Sequence, residues 1–277
     1  MSEPSRTNWT PQSTVLIPAS TVAGATDTVP LEGPYAGHLT LSPEKITRAL
    51  LWITAVFAGI HVLTKVATVY FPDFPGRNWL VIMFGLGGEA NLPATFSGGL
   101  LLLSAALLGT IALTTQRAGG PFSRHWAVLA GVFLFLCLDE LAAIHDNISA
   151  PLSRLAQPGG ALLYLWVVPY GLAVLLLLLA SVRFLLHLPA ATRRLFVLAG
   201  AMYVGGALGL ELIEAASDAR GIHSGFIPLL GVAIEETMEM LGLVVFISAL
   251  FGHIRRQLPG LDLHLSVTSG PSGSTDS

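Results

Sequence analysis

The chain is predicted to be an all-α, polytopic integral membrane bundle of about six transmembrane helices. Three observations lead there. Hydrophobic residues make up 53% of the 277 and charged residues only 11%, where a soluble domain carries roughly 25% charged residues. Mean hydropathy is +0.69. Six apolar runs also approach or exceed the roughly 20 residues needed to cross a bilayer.

Residues 1–44 are polar and rich in Ser, Thr and Pro, and are expected to form a disordered cytoplasmic tail. The apolar stretch around Val15 to Pro18 is far below the length of a signal peptide. The membrane domain is expected over 45–257. Its spans are placed near Ile46–Tyr70, Pro93–Thr115, Trp126–Asp146, Leu162–Leu188, Thr192–Ala216 and Pro228–His253. Asn78–Leu86 is too short to cross and is expected to lie at the interface or re-enter. Asn91 is placed to cap the second span, with Pro93 in its first turn. Pro169 is expected to kink the fourth span. Gly205 and Gly209 form a GxxxG pair for close helix approach. The composition of 258–277 predicts a second disordered cytoplasmic tail.

Lys45, Arg48, Arg117, Arg124, Arg183, Arg193, Arg194, Arg255 and Arg256 fall at one set of span ends, and Arg77, Arg154 and Arg220 at the other. The positive-inside rule therefore predicts a cell-membrane protein with both termini cytoplasmic, which agrees with an even number of spans. A net charge of −3 does not suggest a nucleic-acid partner. The single cysteine, Cys137, lies in an apolar run and reads as a small buried hydrophobe.

Function is sought in the ionisable residues inside the spans. His61 and Lys65 lie in the first, Asp139, Glu140, His145 and Asp146 in the third, Glu211 and Glu214 in the fifth, and Glu235, Glu236 and Glu239 in the sixth. At a rise of about 1.5 Å per residue, His61 and Asp139 stand roughly 20 Å from the cytoplasmic end and Glu211 roughly 28 Å; Glu235 stands roughly 10 Å below the outer end. All fall in the outer half of the membrane. Helical phase puts Asp139 and Asp146 on one face, Glu211 beside Glu214, and Glu235, Glu236 and Glu239 in one arc. A charge at the bilayer centre costs at least about 2.5–3.5 kcal/mol, so these stripes should point inward.

Eight carboxylates meet one sure local cation, Lys65. Either several acids are neutral, or water reaches them, or a cation is bound. Carboxylate with imidazole suits Zn, Fe or Mn. The expected ligands are His61, Asp139, His145, Glu211, Glu235 and Glu239. Glu140, Glu214 and Glu236 would serve as supporting groups or as a general base. Such a site would support redox or hydrolytic chemistry on a lipid-like substrate among the membrane lipids. A proton- or cation-coupled transporter and a non-catalytic scaffold or assembly factor are the alternatives. The oligomeric state is not readable from sequence. No HExxH, phosphate-binding glycine loop, Ser-His-Asp signature or dinucleotide fingerprint occurs.

Three stretches carry a resemblance: EANLPATFS from Glu89, LDELAAIHD from Leu138 and EETMEMLG from Glu235. Together they resemble a group of uncharacterised bacterial multi-pass membrane proteins. That resemblance implies a membrane domain over roughly 46–254 and no particular activity.

Overall fold

The computed structural model describes residues 42–153, 159–222 and 226–257. Most of the two expected tails, Arg154, His223 and the side chain of Asp146 lie outside the described residues. All regular structure described is helical: α1 (Pro43–Tyr70), α2 (Arg77–Phe84), α3 (Leu92–Arg117), α4 (Ser123–Ala142), α5 (Ile144–Ser153), α6 (Val167–His187), α7 (Ala190–Val204), α8 (Glu211–Asp218) and α9 (Phe226–Gln257). A π-helical segment, Gly205–Leu210, joins α7 to α8, so that Ala190–Asp218 forms one continuous span. Among the described residues, six helices are long and apolar enough to cross a membrane.

α3 and α9 are the central pair. About half of each apolar window is buried (56% and 50%), against 17% for the other four spans. Leu100, Leu101, Leu108 and Ile111 of α3 join Leu243, Val244, Ile247 and Leu250 of α9 in the core. α4 packs on α3, while α7 and α1 pack on α9. α6 is pinned by aromatics: Phe184 meets Trp126 at 4.8 Å between ring centroids. Hydroxyls buried in these apolar helices are satisfied locally. Ser104 donates to the Leu100 carbonyl (2.8 Å) and Thr54 to that of Leu50 (3.0 Å).

Local chemistry explains the helix ends. Asn91 caps α3 as expected: its Oδ1 accepts from the Ala94 N–H at 3.0 Å. Its Nδ2 donates to the Gly85 carbonyl at 2.7 Å, closing the loop after α2. That loop runs inward, since the Leu86 N–H donates to His61 Nδ1 at 2.9 Å. His61 lies nine residues before the end of α1, about 14 Å along the helix. The segment expected at the interface or re-entering thus dips to that level. At that level Leu86 itself is enclosed by protein, at 1% exposed.

Three expectations are corrected. Pro169 causes no interior kink, because α6 starts at Val167 and puts the proline in its first turn, where no N–H partner is lost. The third span stops at Ala142: Ala143 takes a left-handed conformation (φ 49°) and the chain restarts as α5. The shared face expected for Asp139 and Asp146 assumed one uninterrupted helix, which the turn at Ala143 interrupts. The GxxxG pair is not the contact either, since the close approach belongs to Gly206. A Cβ there would stand 2.9 Å from the Glu235 carbonyl oxygen and from Glu239 Cγ, whereas one at Gly209 would meet nothing within 4 Å.

Candidate functional site

The carboxylates collect at the end of the bundle where α1, α4 and α8 finish and α3, α6 and α9 begin. The π-helical segment is the device that aims two of them. It inserts about one extra residue, turning all that follows by about 100°. Glu211 and Glu214 follow it directly and face α9. One carboxylate oxygen from each of Glu211, Glu214 and Glu235 lies within 4.8 Å of the others. Glu235 is 7% exposed. Glu214 Oε1 is buried with no hydrogen-bond partner. Gly231 makes room for it, as a Cβ there would stand 3.1 Å from that oxygen.

A second set adjoins the first. Glu140 lies in the electrostatic field of Glu89, His145 and Asp139. Glu236 lies in the field of Glu140, Glu89, Glu211 and His145. Glu239 links the sets, feeling Glu236, Glu140, Glu235 and Glu211. Two further acids lie in this neighbourhood: Glu89, near Glu140, and Asp218, near Glu214.

Asp139 and His145 form a dyad, delivered by the turn at Ala143. Asp139 Oδ1 accepts from the His145 backbone N–H (2.9 Å) and from the Tyr170 hydroxyl (2.9 Å). Asp139 Oδ2 faces His145 Nδ1 at 3.3 Å. Trp166 flanks the imidazole at 4.9 Å between centroids. Nothing in one dimension marks a tyrosine such as Tyr170, whose partner lies 31 residues away.

His61 does not join the acids. The charged group acting on it is Lys65, and its Nδ1 is occupied by the Leu86 N–H. A nitrogen that accepts carries no proton, so the neutral ring holds its proton on Nε2. That atom is buried without a partner. In this state His61 is a donor and an anchor for the loop, with no lone pair for a metal.

Tyr164 covers the first set. Its hydroxyl donates to Asp218 at 2.5 Å. Burial, the Asp218 carboxylate and the nearby Glu211 and Glu214 all push that hydroxyl up, so it stays a neutral donor.

The arrangement offers oxygen ligands close together, a buried oxygen lacking a partner, and an oriented imidazole beside them. No curated protein and no solved structure matches the chain. A family model described as a domain of unknown function (DUF8692) matches residues 46–254, and the chain belongs to that family.

Proposed function

We propose that this is an intramembrane metal protein. In this reading Glu211, Glu214 and Glu235 hold a divalent cation (Zn, Fe or Mn), with Glu239 adjacent, and the site supports hydrolytic or redox chemistry on a lipid-like substrate. The observation that carries the reading is the triplet itself. Three carboxylate oxygens within 4.8 Å repel, when charged, at about 3.5 kcal/mol or more per pair for an effective dielectric near 20. Bound metal–oxygen distances of about 2.0–2.2 Å bring ligand oxygens somewhat closer than this, a small side-chain adjustment away. The partnerless Glu214 Oε1 supplies a lone pair that a cation would use.

Full-length chain extracted gently without chelator should carry about one divalent metal per chain, and Glu235→Gln less than about a tenth of that. Wild-type content below about 0.2 per chain would sink the reading. Carboxylates gathered inside a membrane-spanning bundle also suit proton- or cation-coupled transport, the second reading. Proteoliposome flux lost in Glu235→Gln without any metal in the wild type would select it.

The proposed site opens toward the outer face, with both termini cytoplasmic. Nine Lys and Arg near span ends lie on one side against three on the other. Reporter fusions after Ser277 and beside Arg154 should therefore report opposite sides. Both reporting the same side would overturn this orientation.

A further inference from the structure

We propose that the groove between α1 and α7 binds one anionic phospholipid from the leaflet at the end of the bundle where these two helices start, cytoplasmic in the orientation proposed above. The inference is independent of the metal reading. α1 and α7 both pack on α9, and the groove left between them has a volume of about 130 Å³. Thr47 and Leu51 of α1, Leu195 of α7, and Val244, Val245 and Ser248 of α9 line it. Leu51 is 40% exposed, so the apolar wall is reached from the lipid side. The Thr47 hydroxyl donates to the Pro43 carbonyl at 2.9 Å. That of Ser248 has no hydrogen-bond partner among the described residues, and so offers a polar ligand a donor inside the groove.

Helical phase carries this groove to a basic mouth. Arg255 is seven residues beyond Ser248, on the same face of α9, and Glu44 is seven before Leu51, on the same face of α1. The two side chains meet at 2.7 Å. Arg48 lies between Glu44 and Leu51 in the sequence, about 60° round α1 from Leu51. Arg194 precedes Leu195 and leaves α7 on the side opposite the buried Thr192 and Phe196. Arg256 donates to the Thr192 hydroxyl at 3.1 Å, so the start of α7 stands at the level of the end of α9. Arg48 and Arg194 are exposed and have no ion-pair partner among the described residues. The Arg255–Glu44 pair is itself exposed (68% and 60%) and therefore weakly held. Three arginines thus meet one carboxylate at the end of an apolar slot. A phosphodiester bearing an acyl chain matches both parts, with its phosphate on the arginines and its chain along Leu51, Leu195 and Val244. Basic pockets between membrane helices take anionic headgroups in this way. A zwitterionic lipid brings its own cation to a mouth already rich in positive charge, and is disfavoured.

The test is native mass spectrometry of full-length chain, delipidated and then titrated with phosphatidylglycerol or with phosphatidylcholine of the same acyl chains. One phosphatidylglycerol should bind at least about tenfold more tightly than phosphatidylcholine. Arg48→Gln combined with Arg194→Gln should weaken it by about tenfold or more, each arginine contributing about fivefold. Arg117→Gln combined with Arg124→Gln removes as much charge from the same end of the bundle, at the α3–α4 connection, and should change little. Leu51→Trp fills the slot without altering charge, at a position exposed enough to accept it, and should weaken binding as the Arg48 and Arg194 variant does. Equal losses in the two arginine pairs would reduce the effect to surface charge and overturn the proposal. Unchanged binding in Leu51→Trp would leave the groove unused, and competition by inorganic phosphate would show an anion site that needs no chain; either result overturns it. So would finding no bound lipid, or a second copy of the chain in its place.

Discussion

Replacing Gly206 with leucine is expected to prevent recovery of a monodisperse folded protein, and Gly206→Ala to lower the melting temperature by at least about 5 °C. The cause is backbone proximity. A Cβ at Gly206 meets the Glu235 carbonyl oxygen and Glu239 Cγ, both at 2.9 Å. The first is main chain of the central helix and cannot rotate away. Relief requires the π-helical segment and α8 to move off α9. That motion would carry Glu211 and Glu214 away from Glu235, so metal binding should fall together with stability. The control is Gly209→Ala, where a Cβ would meet nothing within 4 Å. It should change the melting temperature little, or raise it slightly through lost chain entropy in the unfolded state. Equal losses at both glycines would show that helix flexibility matters here rather than close approach.

That pair of glycines also marks the limit of what was legible in one dimension. Apolar length suffices for six spans, because a membrane helix must satisfy its backbone internally and so declares itself by hydropathy. The Asn91 cap was legible for the same reason of locality: the side chain serves an amide three residues on. What failed were inferences carried through a helix at constant phase. Ala143 breaks α4 with a left-handed alanine, a conformation that glycine or asparagine would have signalled and alanine does not. The π-helical segment shifts the phase before Glu211, and its Gly-Gly-Ala-Leu-Gly-Leu sequence reads equally well as ordinary helix. The GxxxG pair was therefore the right segment with the wrong glycine. Among the expected ligands, depth alone grouped His61 with the acids. Depth does not record which way a side chain leaves its helix, and His61 is turned to the re-entrant loop.

Converting Glu211, Glu214 and Glu235 together to glutamine should raise the melting temperature of the metal-free protein by about 3–8 °C, corresponding to roughly 1–2 kcal/mol. The usual expectation for a buried polar network is the reverse, since removing its members leaves partners unsatisfied. Here the partners are mostly like charges. The three carboxylates stand within 4.8 Å, the oxygen of one lacks a hydrogen-bond partner, and Asp218 and Glu239 crowd the same region. Amides keep the shape, remove the repulsion and can donate to one another. A gain in stability is the signature of groups retained for chemistry rather than for folding. The second half of the prediction concerns linkage. Wild-type protein saturated with Zn or Mn to about a hundred times its dissociation constant should gain roughly 2.7 kcal/mol, and the triple variant should gain nothing. Thermal melts of both proteins, with chelator and with metal, supply all four values. A lower melting temperature in the metal-free variant would mean that the acids hold α8 to α9 and that the cluster is structural. Equal metal-induced shifts in the two proteins would place the cation elsewhere.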